Sequence, residues 1–216
     1  MRCFIVMGDI IKSREYQGVE LMHEFQSLVA TCNEELASCL LSPYTITLGD
    51  EFQGVARSLL CSVRSLFYLE EMVLREHLPF RLRYVVHYGE IDTPLNPNIA
   101  YGMVGPGLAH ARELLTNAGK RRPRFRFDLS NHSLAFKLNG LFQVTASLTE
   151  EWRPKDWQLI LDMLSMDRAA DIGAKYNMNR SQVSKREKTL RVEEYKTLKA
   201  VIIDLCQEKR DEVFMD

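Results

Sequence analysis

Tyr44-Thr45-Ile46-Thr47-Leu48-Gly49-Asp50-Glu51-Phe52-Gln53-Gly54-Val55 holds two runs rich in β-branched and aromatic residues around a Gly-Asp pair. Such a pair between two strand-like runs predicts a tight β-hairpin. Upstream, Cys3-Phe4-Ile5-Val6-Met7 is a short continuous apolar run closed by Gly8-Asp9, the pattern of a buried central strand. Between them Val19, Met22, Phe25, Val29 and Cys32 recur at three- and four-residue steps, which predicts a helix over 18–41, stopped before Pro43.

Downstream of the hairpin, 58–77 again has helical periodicity and is closed by Pro79; a strand is predicted from Phe80 to Tyr88. A loop with Pro94 and Pro97 leads through Gly102, Gly105, Pro106 and Gly107 into a helix from Leu108 to about Asn117. Gly119-Lys120-Arg121-Arg122-Pro123-Arg124 reads as a basic loop, and Phe125-Arg126-Phe127-Asp128-Leu129 alternates like an edge strand. The order is that of a split β-α-β sheet, an α+β ferredoxin-like fold with its helices on one face. From Ser130 onward the pattern is all helical. The expected division is residues 1–150 as the α+β domain and 151–216 as a small all-α domain.

Composition narrows the function classes. Hydrophobic residues are 46% and charged residues 26%, which excludes extended disorder. Lys and Arg number 28 against 29 Asp and Glu, so any basic surface is local. No apolar run approaches the roughly 18–20 residues that span a bilayer, so no membrane association is expected. The first nine residues lack the length and cleavage site of a signal peptide. Five scattered cysteines (Cys3, Cys32, Cys39, Cys61, Cys206), odd in number and without a CxxC, read as free thiols in a reducing, cytoplasmic setting.

The C-terminal third carries a helix, short turn, helix pattern. Asp167 can cap a helix running to Tyr176; Asn177-Met178-Asn179 forms the turn; a second helix opens at Arg180. Ile172, Gly173, Tyr176, Met178 and Val183 occupy the inward positions, Gly173 being small where the helices cross. Between Gly173 and Arg191 six cations face one anion, Glu187. Such local charge suits phosphate contacts on DNA, and it also suits a solvated basic helix. On the DNA-binding view Ser181, Gln182 and Arg186 would reach base edges, Lys185 and Lys188 phosphates, with Arg180 and Ser184 on the same helix. Arg186 stands where a recognition helix usually has an aliphatic core residue. A following helix, 192–208, either pairs with a second subunit, giving a homodimer, or packs back on its own domain.

At the other end, Asp9 follows the first strand and Asp50 sits in the hairpin turn. Neighbouring strands would bring the two carboxylates together, an arrangement that Mg2+ neutralises. Glu51 could swing in from the turn. Gly105 and Gly107 precede a helix start where backbone amides can approach phosphate, with His110 and Arg112 one turn further on. His87, in an apolar strand, reads as a core histidine.

Three stretches together, Gly8-Asp9-Ile10-Ile11-Lys12-Ser13-Arg14, Thr47-Leu48-Gly49-Asp50-Glu51-Phe52-Gln53-Gly54 and Gly105-Pro106-Gly107-Leu108-Ala109-His110-Ala111-Arg112-Glu113, resemble the SatD family of bacterial proteins over about residues 1–150. A more distant likeness is to class III nucleotide cyclases and diguanylate cyclases. It implies Asp9 and Asp50 as metal ligands, Arg112 at the place of a transition-state arginine, and a bound nucleoside triphosphate. The catalytic set is incomplete: Leu108 replaces an asparagine, Ile46 a base-selecting lysine, and Leu48 the first glycine of a Gly-Gly-Asp-Glu-Phe motif. The expectation is therefore a DNA-binding transcriptional regulator whose SatD-like domain is sensory or dimerising, with Mg2+-dependent nucleotide binding as the alternative.

Overall fold

The computed structural model describes residues 1–15, 18–47, 49–116, 123–166 and 168–208. They form strands β1 (Arg2–Ile10), β2 (Leu40–Ile46), β3 (Glu51–Ala56), β4 (Leu82–Glu90) and β5 (Phe125–Asp128). The helices are α1 (Gly18–Glu35), α2 (Leu59–Arg75), α3 (Pro106–Thr116), α4 (His132–Glu150), α5 (Trp157–Ser165), α6 (Ala169–Tyr176), α7 (Arg180–Leu190) and α8 (Val192–Glu208). The sheet order is β2-β3-β1-β4-β5. β1 lies antiparallel between β3 and β4, and β5 adds parallel to β4. The hairpin and the split β-α-β order follow the sequence pattern. Leu48, Asn117, the basic stretch 119–122 and the Asp167 cap lie outside the described residues. None of the described helices is long and apolar enough to cross a membrane.

Alternation along the strands fills both faces of the sheet. Val6, Ile10, Phe52, Tyr84 and Val86 pack with α1 and α2. Cys3, Ile5, Met7, Val55 and Val85 pack instead with Ala111, Leu114 and Leu115 of α3. The expectation of helices on one face is thus corrected: α3 covers the second face, because the central strand is apolar at odd and even positions alike. A second correction concerns Pro43, which lies inside β2 rather than closing α1. β2 is the edge strand, where a missing N–H does no harm, and its pairing with β3 shifts register around that point.

The helices after β5 continue the first core instead of building another. One buried cluster runs from Val6 through Phe67 and Phe142 to Trp157, Val183, Tyr195, Ile202 and Cys206. α8 packs back on its own chain, against α2 and α4. Tyr195 of α8 donates to Glu71 of α2 at 3.1 Å. Trp152 Nε1 donates to the Leu190 carbonyl at 2.8 Å, which ties the end of α7 to the segment after α4. A helical domain with its own separate core is not what the packing shows.

Candidate functional site

The segment from α6 to α7 is built from local signals. α6 ends at Asn177, whose φ of 52° and ψ of 47° turn the chain in the left-handed region that asparagine tolerates. Gly173 is required there: a Cβ would lie 2.7 Å from the Met178 carbonyl oxygen. Asn179 caps α7 in a capping box, accepting from Gln182 N–H while the Gln182 side chain accepts from Asn179 N–H. Val183 and Leu190 face inward. Arg180, Ser181, Ser184, Lys185 and Lys188 are exposed and line one shallow surface, at the i, i+1, i+4, i+5, i+8 spacing of one helix face.

Two expected contributors sit elsewhere. Arg186 turns inward and pairs with Asp156, which fills its inward position with an ion pair in place of an aliphatic side chain. The Gln182 side-chain oxygen is committed to the capping box. Lys175 pairs with Asp162 at 2.6 Å, and Arg191 lies 3.9 Å from Glu194. Arg180, Lys185 and Lys188 form no ion pair among the described residues. The net positive charge that faces solvent is therefore theirs.

At the sheet, the register opposes Asp9 to Glu51 on one side and to Arg83 on the other. Asp50 comes one residue before β3, and its carbonyl accepts from Ile10 N–H at 3.0 Å. The ladder thus places Glu51, not Asp50, across from Asp9. Each of the two opposed carboxylates already has a guanidinium partner: Arg83 Nη1 is 2.9 Å from Asp9 Oδ2, and Arg112 Nη2 is 2.7 Å from Glu51 Oε1. Arg112 also donates to Thr47 Oγ1 at 3.4 Å. Its Nε, like that of Arg83, is buried and has no acceptor among the described residues. Arg112 lines a cavity of about 430 Å³ with Thr47, Gln53, Tyr101 and Leu108.

Gly105 and Gly107 have a packing reason. A Cβ on Gly107 would meet the Glu90 nitrogen and the Gly89 carbonyl carbon at 2.7 Å, and one on Gly105 the Glu90 oxygen at 2.6 Å. Their Cβ positions are filled by the end of β4, a packing reason for glycine at both places. His110 is directed at Asp128: Nε2 is 3.2 Å from Asp128 Oδ2. His87 Nδ1 is 2.8 Å from the same oxygen. The parallel register that sets His87 against Asp128 has no local sequence signal, and Asp128 was not among the expected site residues. Arg124 belongs to no basic loop surface; it is 8% exposed and paired with Glu70.

A search among curated proteins gives no match. Among solved structures the chain is similar to a bacterial light-regulated adenylyl cyclase, with 14% identity over 58% of this chain and 74% of that one, at a TM-score of 0.42. It is also similar to the guanylyl cyclase Cya2, with 13% identity over 62% and 77% of the respective chains, at a TM-score of 0.40. The model of the SatD family matches residues 3–206, through α8 and well past the 1–150 over which the motifs carry the resemblance. The chain belongs to the SatD family.

Proposed function

We propose that the protein is a DNA-binding transcriptional regulator, with α6 and α7 as a helix-turn-helix output and the sheet in a sensory or dimerising role. One observation carries this: α7 presents Arg180, Ser181, Ser184, Lys185 and Lys188 on a single solvent face, and its three cations have no carboxylate partner among the described residues. A helix of this kind, anchored by its inner residues and capped at its N-terminus, can enter a major groove end-on. The test is fluorescence anisotropy on a mixed-sequence duplex at several salt concentrations. Wild type should bind with a steep salt dependence, and the slope should fall by about 0.9 for each of Arg180, Lys185 and Lys188 replaced by alanine. Salt-independent binding, or a triple variant that binds like wild type, would overturn the proposal.

A second function has its own support in Arg112, whose buried Nε has no acceptor among the described residues and whose side chain lines the 430 Å³ cavity. Donors of this kind suit an anionic ligand such as a nucleotide phosphate, with Mg2+ held by Asp9 and Asp50 in that scheme. Calorimetric titration of ATP and GTP, with and without Mg2+, tests it. Arg112→Ala should abolish the heat; equal binding by this variant would remove the proposal.

A further inference from the structure

We infer that His87, His110 and Asp128 form a binding site for a divalent transition metal of the zinc class. Three separate elements supply the three side chains: β4, the second turn of α3, and the end of β5. His87 Nδ1 and His110 Nε2 both converge on Asp128 Oδ2, at 2.8 and 3.2 Å. One donor atom from each side chain lies within 4.8 Å of the other two. Zinc bonds of about 2.0–2.1 Å at tetrahedral angles place neighbouring ligand atoms roughly 3.3 Å apart. The cluster is therefore within small side-chain adjustments of a coordination shell.

The chemistry and the surroundings agree with that geometry. Two imidazoles and one carboxylate are a donor set that zinc and its neighbours accept, whereas Mg2+ and Ca2+ prefer oxygen alone. His87 is held firmly: its side chain is 12% exposed, and a Cβ on Gly89 would lie 2.2 Å from its Nε2. The two histidine rings stand 4.9 Å apart at a steep angle, so neither blocks the other's nitrogen. Glu113 Oε2 lies 3.8 Å from His110 Nδ1, the far side of the ring from Asp128. On the open side His87, Asp128, Ser130 and His132 line a groove of about 350 Å³, which leaves room for a further ligand or water. On binding, each histidine would offer the metal the lone pair of the ring nitrogen that faces Asp128, its single proton residing on the other ring nitrogen.

The test uses the full chain without a histidine tag, stripped with chelator and titrated with Co2+. Wild type should develop one equivalent of a visible d–d band without a thiolate charge-transfer band, and Zn2+ should displace it stoichiometrically. His110→Ala and Asp128→Asn lie at side chains 45% and 40% exposed, so the fold persists, as far-ultraviolet circular dichroism will show. Both variants should lose affinity roughly tenfold or more. Absence of a band in wild type, a thiolate band that marks cysteine ligation, or equal affinity in the variants would each overturn the inference. Loss of DNA binding leaves it untouched, since α7 shares none of these residues.

Discussion

Glu70 on α2 and Arg124, one residue before β5, form an ion pair inside the core, their side chains 9% and 7% exposed. Tyr84 donates to the other carboxylate oxygen at 3.0 Å, and Arg124 Nε donates to the Leu82 carbonyl at 3.2 Å. Removing one partner leaves a desolvated charge. Glu70→Ala should therefore cost about 3–5 kcal/mol, whereas Glu70→Leu combined with Arg124→Leu should cost much less. Urea denaturation of both variants checks this, and equal losses would show that the two charges do not depend on each other.

Two glycine-to-alanine changes should have opposite signs. Gly107 has the β4 backbone 2.7 Å from where a Cβ would be, while Gly140, in exposed mid-α4, has nothing within 4 Å. Gly107→Ala should destabilise by about 1–3 kcal/mol through overpacking. Gly140→Ala should stabilise by about 0.5–1 kcal/mol through helix propensity. Thermal melts of the pair decide it.

On the proposed DNA-binding function, Arg186→Ala separates stability from DNA affinity. Its guanidinium serves Asp156, whose side chain is 12% exposed. Losing it should cost about 1–3 kcal/mol, the penalty of an unsatisfied buried acceptor. The salt slope of DNA binding should stay as in wild type at temperatures where the variant is folded. A lowered slope with unchanged stability would place Arg186 at the DNA instead.

Asp162 should give the helix pair a sensitivity to acid. Burial works to raise its carboxyl, but hydrogen bonds from Lys175, Tyr176 and Gln158 outweigh burial and hold it below the ordinary value. A depressed carboxylate contributes stability above its unfolded pKa of about 3.9 and loses it as the pH falls through the lower folded value. Melting temperature should thus fall more steeply below about pH 4 in wild type than in Asp162→Asn. Parallel curves would contradict the assignment.

Thiol chemistry should be selective. Burial pushes Cys32 and Cys206 up to about 12 and Cys39 up to about 11, and raises Cys3 as well. Cys61 is half-buried where the other four are buried. Native protein at neutral pH should take one alkyl group, at Cys61, and denatured protein five. Peptide mapping reads the result.

The strands and most helices were legible because their signals are local. Period-two runs, the three- and four-residue apolar steps of α1 and the Asn177-Met178-Asn179 turn all act within a few residues. What escaped depends on tertiary contact. β1 is apolar on both sides, and the continuous run Cys-Phe-Ile-Val-Met carries that signal; that α3 is the helix that covers the second face depends on packing between distant segments. The pairing of Asp9 with Glu51 follows from register, where a slip of one residue exchanges faces. The basic look of Arg124 and Arg186 conceals partners at Glu70 and Asp156 that lie 54 and 30 residues away.

The core shared by α2, α4 and α8 also limits how such a chain can be rearranged. Val192, Tyr195, Ile202 and Cys206 complete an apolar surface that Phe67 and Phe142 begin. A cassette cut at residue 150 would open that surface on both fragments, so the α6–α7 unit cannot be transplanted by itself to another protein. Substitutions on the outer side of α2 must find their compensation on α8, and the sheet and the helix pair are bound to change together.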